Sequence, residues 1–319
     1  MNLLKTSVFN CLFVCSLIFF LFFLLLFPKE SFNAALNGLV LWFRMIIPAL
    51  LPFAIISGIF IRFHIADYFS FLFKPIIGTI FDLSNEGSFC VLAGFLFGYP
   101  MGAKIANDLV VDRQLSKNEG EYLFLFCNQA SPVFILNCVA INCFKNENLF
   151  LPIFIILLST SITIGIVLRK FFYKSLKWDS KEKVLKSLND NTSPFEILDS
   201  CVMNGVDTIL KLGAYIILFS IIVKMVEIIL KDFYYLKTLI IGFLEMTNGI
   251  SYISSLNTSF QIHFLFVLFC VSFGGISCIF QTASMVKNSH FSMIKYLIVK
   301  IMTAFISILY GILYLKFIY

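Results

Sequence analysis

Four interruptions hold nearly all the side chains in this sequence whose types and spacing suit chemistry. The first, FGYPMGAK at 97–104, puts Gly98, Tyr99, Pro100 and Gly102 ahead of Lys104. The second, CNQASP at 127–132, sets Asn128, Gln129 and Ser131 before Pro132. The third, EMTNG at 245–249, carries Glu245, Thr247 and Asn248. The fourth, FGGISCIFQ at 273–281, joins Gly274 and Gly275 to Gln281, seven residues after Gly274. All four lie between apolar flanks. The chemistry they suggest is capture of a ligand. A broken helix exposes free N–H groups at its new N-terminus and free carbonyls at the other end. The N–H end carries about half a positive charge, which suits a carboxylate or phosphate. Pro100 removes a donor and fixes a bend. Gly102 lets backbone approach a ligand closely. Lys104 adds a full charge, and charges within spans are rare and usually functional.

Each of these residues also has a plainer role open to it. Gly and Pro allow close packing of membrane helices. Lys104 has Asp108 four residues on as an ion-pair partner, or snorkels to the interface. Asn128, Gln129 and Ser131 suit local capping of a helix restarting at Val133. Glu245 suits a coupling proton or cation, a pair with Lys104, or an interfacial loop. Gln281 suits an interhelical hydrogen bond. Asp207 and Lys211, at i and i+4, pair most simply with each other.

The elements that must position these groups are membrane helices. Of 319 residues 60% are hydrophobic and 13% charged, and the mean hydropathy is +0.94. Soluble domains carry about 25% charged residues. Apolar segments run at about 36–61, 66–82, 88–110, 119–144, 149–171, 197–230, 233–257, 262–286 and 291–317. An N-terminal apolar run at 8–27 reads as an uncleaved first helix. The class is an all-α polytopic membrane protein of the transporter type, with broken helices and re-entrant hairpins. Segments 66–82 and 233–257 look too irregular for simple spans, and hairpins are expected there. Arg169, Lys170, Lys174, Lys177, Lys181, Lys183 and Lys186 form a basic stretch, which the positive-inside rule makes cytoplasmic.

The chain also repeats itself weakly. NGLVLWFRMIIPALLPFAII from Asn37 aligns with NGVDTILKLGAYIILFSIIV from Asn204 at an offset of 167, and Phe97-Gly98 aligns loosely with Phe273-Gly274. The expected organisation is a first helix and linker at 1–35, one repeat at 36–172, a basic cytoplasmic loop at 173–194 and a second repeat at 195–319. Repeated halves with interrupted segments in corresponding places mark a transporter fold. The halves are inverted if 119–144 is a hairpin folding back at Gln129–Pro132, and parallel if it crosses.

Nine cysteines show no C-x-x-C and no metal spacing with histidine, so no metal or cofactor is expected. With three histidines, no H-E-x-x-H and no G-x-S-x-G, an enzyme is not expected. No Walker A motif supplies ATP hydrolysis, and nothing suggests nucleic acid. Taken together and in order, FGYPMGAK, CNQASPVFI, LEMTNGI and FGGISCIFQ resemble the sporulation integral membrane proteins called YlbJ or SpoVV. Those belong to the wider nucleoside-recognition or Gate domain group. The CNQASP string departs from the Asn-Thr-Ser-Asn-Pro-like form of that family, which leaves the roles of Gln129 and Ala130 open. The resemblance implies movement of dipicolinate, a planar aromatic dicarboxylate, across the outer forespore membrane. On that reading Lys104 and helix N-termini meet the carboxylates and Tyr99 meets the ring. The partners are then a small anion, the bilayer, and protein partners or further copies of the chain. A nucleoside or neutral-solute permease and a non-transporting sporulation scaffold are the alternative functions.

Overall fold

A computed structural model describes residues 2–63, 65–174 and 193–318. The expected basic loop lies mostly outside them: Lys177, Lys181, Lys183 and Lys186 are not among the described residues. Every regular element described is helical. The helices are α1 Asn2–Leu26, α2 Pro28–Leu41, α3 Ile47–Arg62, α4 Ala66–Phe81, α5 Asn85–Phe97, α6 Met101–Val111, α7 Lys117–Phe126 and α8 Pro132–Phe134. They continue as α9 Phe150–Phe171, α10 Pro194–Ile229, α11 Tyr234–Leu244, α12 Met246–Ser255, α13 Phe260–Phe273, α14 Gly275–Met285 and α15 Met293–Ile318.

Five stretches are long and apolar enough to cross a bilayer: Pro28–Arg62, Glu147–Phe171, Pro194–Ile229, Phe260–Met285 and Met293–Phe317. The first joins α2 to α3 through a π-helical turn, Trp42–Ile46. Pro48 follows that turn and has no N–H to return to the Arg44 carbonyl. A widened turn there relieves the clash its ring would cause. This span runs antiparallel to α10. A methyl group on Gly213 would lie 2.6 Å from the Trp42 ring, and one on Gly38 would lie 2.7 Å from the Ser220 hydroxyl. Trp42 Nε1 donates to the Ile209 carbonyl at 2.8 Å. Small residues thus let these backbones approach closely, as membrane helices require when lipid supplies no hydrophobic drive.

Polar contacts sort the remaining elements between two ends of the bundle. Gln114 Nε2 donates to the Ile61 carbonyl at 3.2 Å. The Ser84 N–H donates to Glu119 Oε1 at 2.8 Å, Arg169 pairs with Asp82, and Lys295 pairs with Glu121 at 2.8 Å. Residues 61–62, 82–84, 112–121, 169–173 and 289–295 therefore share one end, called here the cationic end. At the other end Cys143, Ser254 and His263 meet, with Cys143 Sγ 3.2 Å from His263 Nε2.

From these ends the path of each segment follows. Helices α5 and α6 both touch the cationic end with their outer termini, and they fold back on each other at Gly98–Pro100. Their 13 and 11 residues reach about 20 and 17 Å at ~1.5 Å per residue, too short to cross about 30 Å. Segment 85–111 is therefore a re-entrant hairpin. The expected hairpin at 119–144 is instead a broken span. Helix α7 starts at the cationic end, the chain opens at Cys127–Ser131, and α8 with the π-helical stretch Ile135–Cys143 continues to the opposite end. The hairpin expected at 66–82 is also corrected: α4 is one continuous helix that leaves and returns to the cationic end, and its second half meets α5 at 98°. The hairpin expected at 233–257 is present, with α11 and α12 turning at Glu245.

Each half is thus a span, a hairpin, a broken span and a second span. The first half uses Pro28–Arg62, α5–α6, α7–α8 and α9. The second uses α10, α11–α12, α13–α14 and α15. The first spans of the two halves, Pro28–Arg62 and α10, run antiparallel, the relation that inverted halves require. Asn37 and Asn204 fall in equivalent spans. Phe97-Gly98 and Phe273-Gly274 do not: one is a hairpin tip, the other a span break. The equivalent of the first tip is Glu245. The insertion of α4 shortens the offset from 167 in the first spans to roughly 146 beyond them.

Candidate functional site

The four interruptions meet at mid-depth. Gly98 ends α5 with φ 78°, a left-handed value that strains any residue with a Cβ. A methyl there would stand 2.7 Å from Ser131 Cβ. The first hairpin tip therefore lies directly on the first span break. The second half repeats this: Gly275, at φ 79°, brings its backbone against Leu244 and Glu245, where a methyl would lie 3.1 Å from the Leu244 carbonyl. The peptide between Tyr99 and Pro100 is cis.

The halves are also cross-linked. Tyr99 donates from its hydroxyl to the Ser272 carbonyl, at the second break, at 3.0 Å. Asn128, at the first break and fully buried, donates from Nδ2 to Thr282 Oγ1 at 3.0 Å and Tyr296 OH at 2.7 Å. Lys300, fully buried on α15, donates to Tyr99 OH at 2.6 Å and to the Asn128 carbonyl at 2.5 Å.

A cavity of about 420 Å³ opens between the two halves, within the range of small-molecule sites. Tyr99, Ala130 and Ser131 line it from the first tip and break; Glu245, Thr247 and Asn248 from the second tip; Gln281 and Cys278 from α14; and Arg44 from the π-helical turn. Ser131 caps α8 by accepting from the Phe134 N–H at 3.2 Å. Glu245 caps α12, its Oε2 accepting from the Asn248 N–H at 2.8 Å and from Asn248 Nδ2 at 2.9 Å.

Of the residues singled out from sequence, Tyr99, Ser131, Glu245, Thr247, Asn248 and Gln281 line the cavity. Gly98, Pro100, Gly102, Gly274 and Gly275 shape the tips and breaks behind it. Asn128 and Gln129 are buried beside the first break. Lys104 does not reach the cavity: its Nζ is paired with Asp108 at 2.5 Å, with the lysine side chain 5% exposed. The i,i+4 pairing open to it in the sequence is the one adopted. Gln281 Nε2 donates within its own helix to Ser277 Oγ at 3.0 Å.

Sequence reasoning missed Arg44, Asn137, Cys138 and Lys300. Arg44 and Lys300 are cations within apolar segments, a signal as strong as the one that marked Lys104. Asn137 and Cys138 gave no such signal. Among the described residues no group of three or more His, Cys, Asp or Glu is placed to hold a metal.

Helical elements throughout, five of them long and apolar enough to cross a bilayer, packed around one central cavity, define a multi-pass, all-helical membrane protein. No family model and no solved structure matches the chain. The chain is similar to the sporulation integral membrane protein YlbJ of Bacillus subtilis (strain 168). The two are 28% identical over an alignment of 293 residues that takes in 82% of this chain and 72% of that protein. The chain is thus a relative of the YlbJ sporulation membrane proteins.

Proposed function

We propose that the chain is a membrane transporter of a small organic anion, with dipicolinate as the cargo, acting in sporulation. The observation that carries this reading is the cavity shared by broken elements from both halves, the usual place for a transporter's substrate site. Arg44 supplies planar, bidentate donors suited to a carboxylate. Tyr99 and Phe134 offer ring faces, and the α8 N-terminus adds its dipole. Rocking of one half against the other would expose the cavity to each side in turn. Arg62, Arg113, Arg169, Lys170 and Lys174 at one end make that end cytoplasmic under the positive-inside rule. The relative's role in sporulation supports assignment to a spore membrane, and its outer forespore location is part of the proposal.

Uptake of labelled dipicolinate into vesicles holding the purified protein tests this. Wild type should accumulate label above protein-free vesicles. Arg44→Ala should lose about 10- to 100-fold, the worth of a charged hydrogen bond at ~1.5–3 kcal/mol. Absence of uptake by folded wild type under every gradient tried contradicts the proposal.

One observation favours a second reading. Lys104 is neutralised by Asp108 and Glu245 presents a carboxylate to the cavity, an arrangement that suits a hydroxyl-bearing neutral solute such as a nucleoside. Competition by uridine against dipicolinate separates the two.

A further inference from the structure

Lys300 has no role in holding cargo, because it lies behind Tyr99 rather than in the cavity. It is nevertheless fully buried, and among the described residues no carboxylate comes within ion-pair distance of it. Burying a charge without a counterion is costly unless other groups replace its water. Here the replacements are oxygens and rings. The Asn128 carbonyl accepts at 2.5 Å and the Tyr99 hydroxyl at 2.6 Å. The ammonium lies 4.4 Å from the Tyr99 ring centre and 5.6 Å from that of Tyr296, within cation–π range. Asn128 Oδ1, also buried, has no hydrogen-bond partner, so a spare acceptor belongs to the same residue.

The Asn128 carbonyl is freed because α7 ends at Phe126. Unwound carbonyls at a broken span are the groups with which transporters coordinate a coupling cation. Tyr99 brings in the hairpin tip and, through its bond to the Ser272 carbonyl, the second break. One positive charge thus ties together a hairpin tip, both broken spans and α15.

We propose that the Lys300 ammonium is a built-in cation: it fills a monovalent-cation site formed by Asn128 and Tyr99, and shortening its side chain converts that place into a site for sodium. The wild-type fold then needs no external cation to hold the first hairpin closed on its break. This rests on the contacts of Lys300 and is independent of what the cavity carries.

The test is thermal unfolding of the purified full chain in sodium chloride against choline chloride. Wild type should show equal Tm in both. Lys300→Ala should be less stable in choline and gain a saturable rise of about 5 °C in sodium. Lys300→Met keeps the stem but not the charge; it should be destabilised and blind to sodium. A wild-type chain stabilised by sodium to the same extent as Lys300→Ala overturns the proposal. So does a folded Lys300→Ala with no response to lithium, sodium or potassium. If Lys300→Ala is lost in choline, recovery in sodium is expected, and loss in both salts equally overturns it.

Discussion

Adding one methyl group at Gly102 tests the hairpin at its tightest point. The two arms, α5 and α6, cross at Gly94 and Gly102, and the Cys127 carbonyl at the end of α7 lies between them. A Cβ on Gly102 would stand 2.6 Å from that oxygen and 3.2 Å from Gly94 Cα. Both are backbone atoms, so no side chain can swing aside. The first distance is about 1 Å inside ordinary contact. Overpacking by a methyl group costs about 1–3 kcal/mol, and Ala in place of Gly within a helix returns about 1 kcal/mol. The net expectation for Gly102→Ala is a loss of up to about 2 kcal/mol, or a Tm lower by up to about 3 °C for a chain of this length. Gly58→Ala is the matched control, since a Cβ there meets Cys201 Sγ at an ordinary 3.4 Å. It should leave Tm unchanged or raise it. Thermal unfolding of both variants in the same detergent, followed by tryptophan fluorescence, gives the comparison. If Gly102→Ala is as stable as Gly58→Ala, segment 85–111 does not fold back on itself and the inverted arrangement fails with it.

Three other outcomes are expected. Lys104→Ala should leave dipicolinate uptake within about two-fold of wild type while lowering stability by about 1 kcal/mol, because Asp108 loses its close partner; a collapse of uptake in well-folded protein would put Lys104 back among the cargo ligands. Asn128→Leu removes two buried hydrogen bonds between the halves and should cost about 2–4 kcal/mol, read as Tm. Tyr296→Phe combined with it should add less than its own single effect, since both lose the same bond; full additivity would mean that the bond is not made. Glu245→Gln keeps an acceptor for the Asn248 N–H and should preserve Tm within about 2 °C while altering the pH dependence of uptake; an unchanged pH profile would remove Glu245 from any coupling role.

The positions of the breaks were legible in the sequence. Gly98, Gly274 and Gly275 take left-handed φ values, and Ser131-Pro132 caps a restart as the residue types imply. What each break does was not legible. After an interruption the chain either turns back or continues, and apolar periodicity is the same in both cases. The choice at 85–111 depends on Gly94 and Gly102 meeting across the hairpin, and the choice at 117–143 depends on α9 and α15 receiving α7. Helix α4 misled for a similar reason. It has Lys74-Pro75 and Gly78 in its middle, yet the helix runs on through Pro75, with Thr79 Oγ1 bonded to the Pro75 carbonyl at 2.8 Å. As an insertion in one half, α4 also broke the constant offset that would have aligned Gly98 with Glu245. Lys104 drew attention that belonged to Arg44 and Lys300. All three are cations in apolar surroundings, but only Lys104 has an acid four residues on, in Asp108, that neutralises it.

Native cysteines allow the cavity itself to be probed. Cys138 lines it, whereas Cys143, five residues on, lies outside it beside Ser254 and His263, and both are partly exposed. Maleimide labelling of the reconstituted protein, followed at each cysteine by mass spectrometry with and without dipicolinate, reports directly on whether a guest sits between the two halves. Slower labelling of Cys138 with Cys143 unchanged is expected. Equal rates at Cys138 with and without saturating dipicolinate would contradict it.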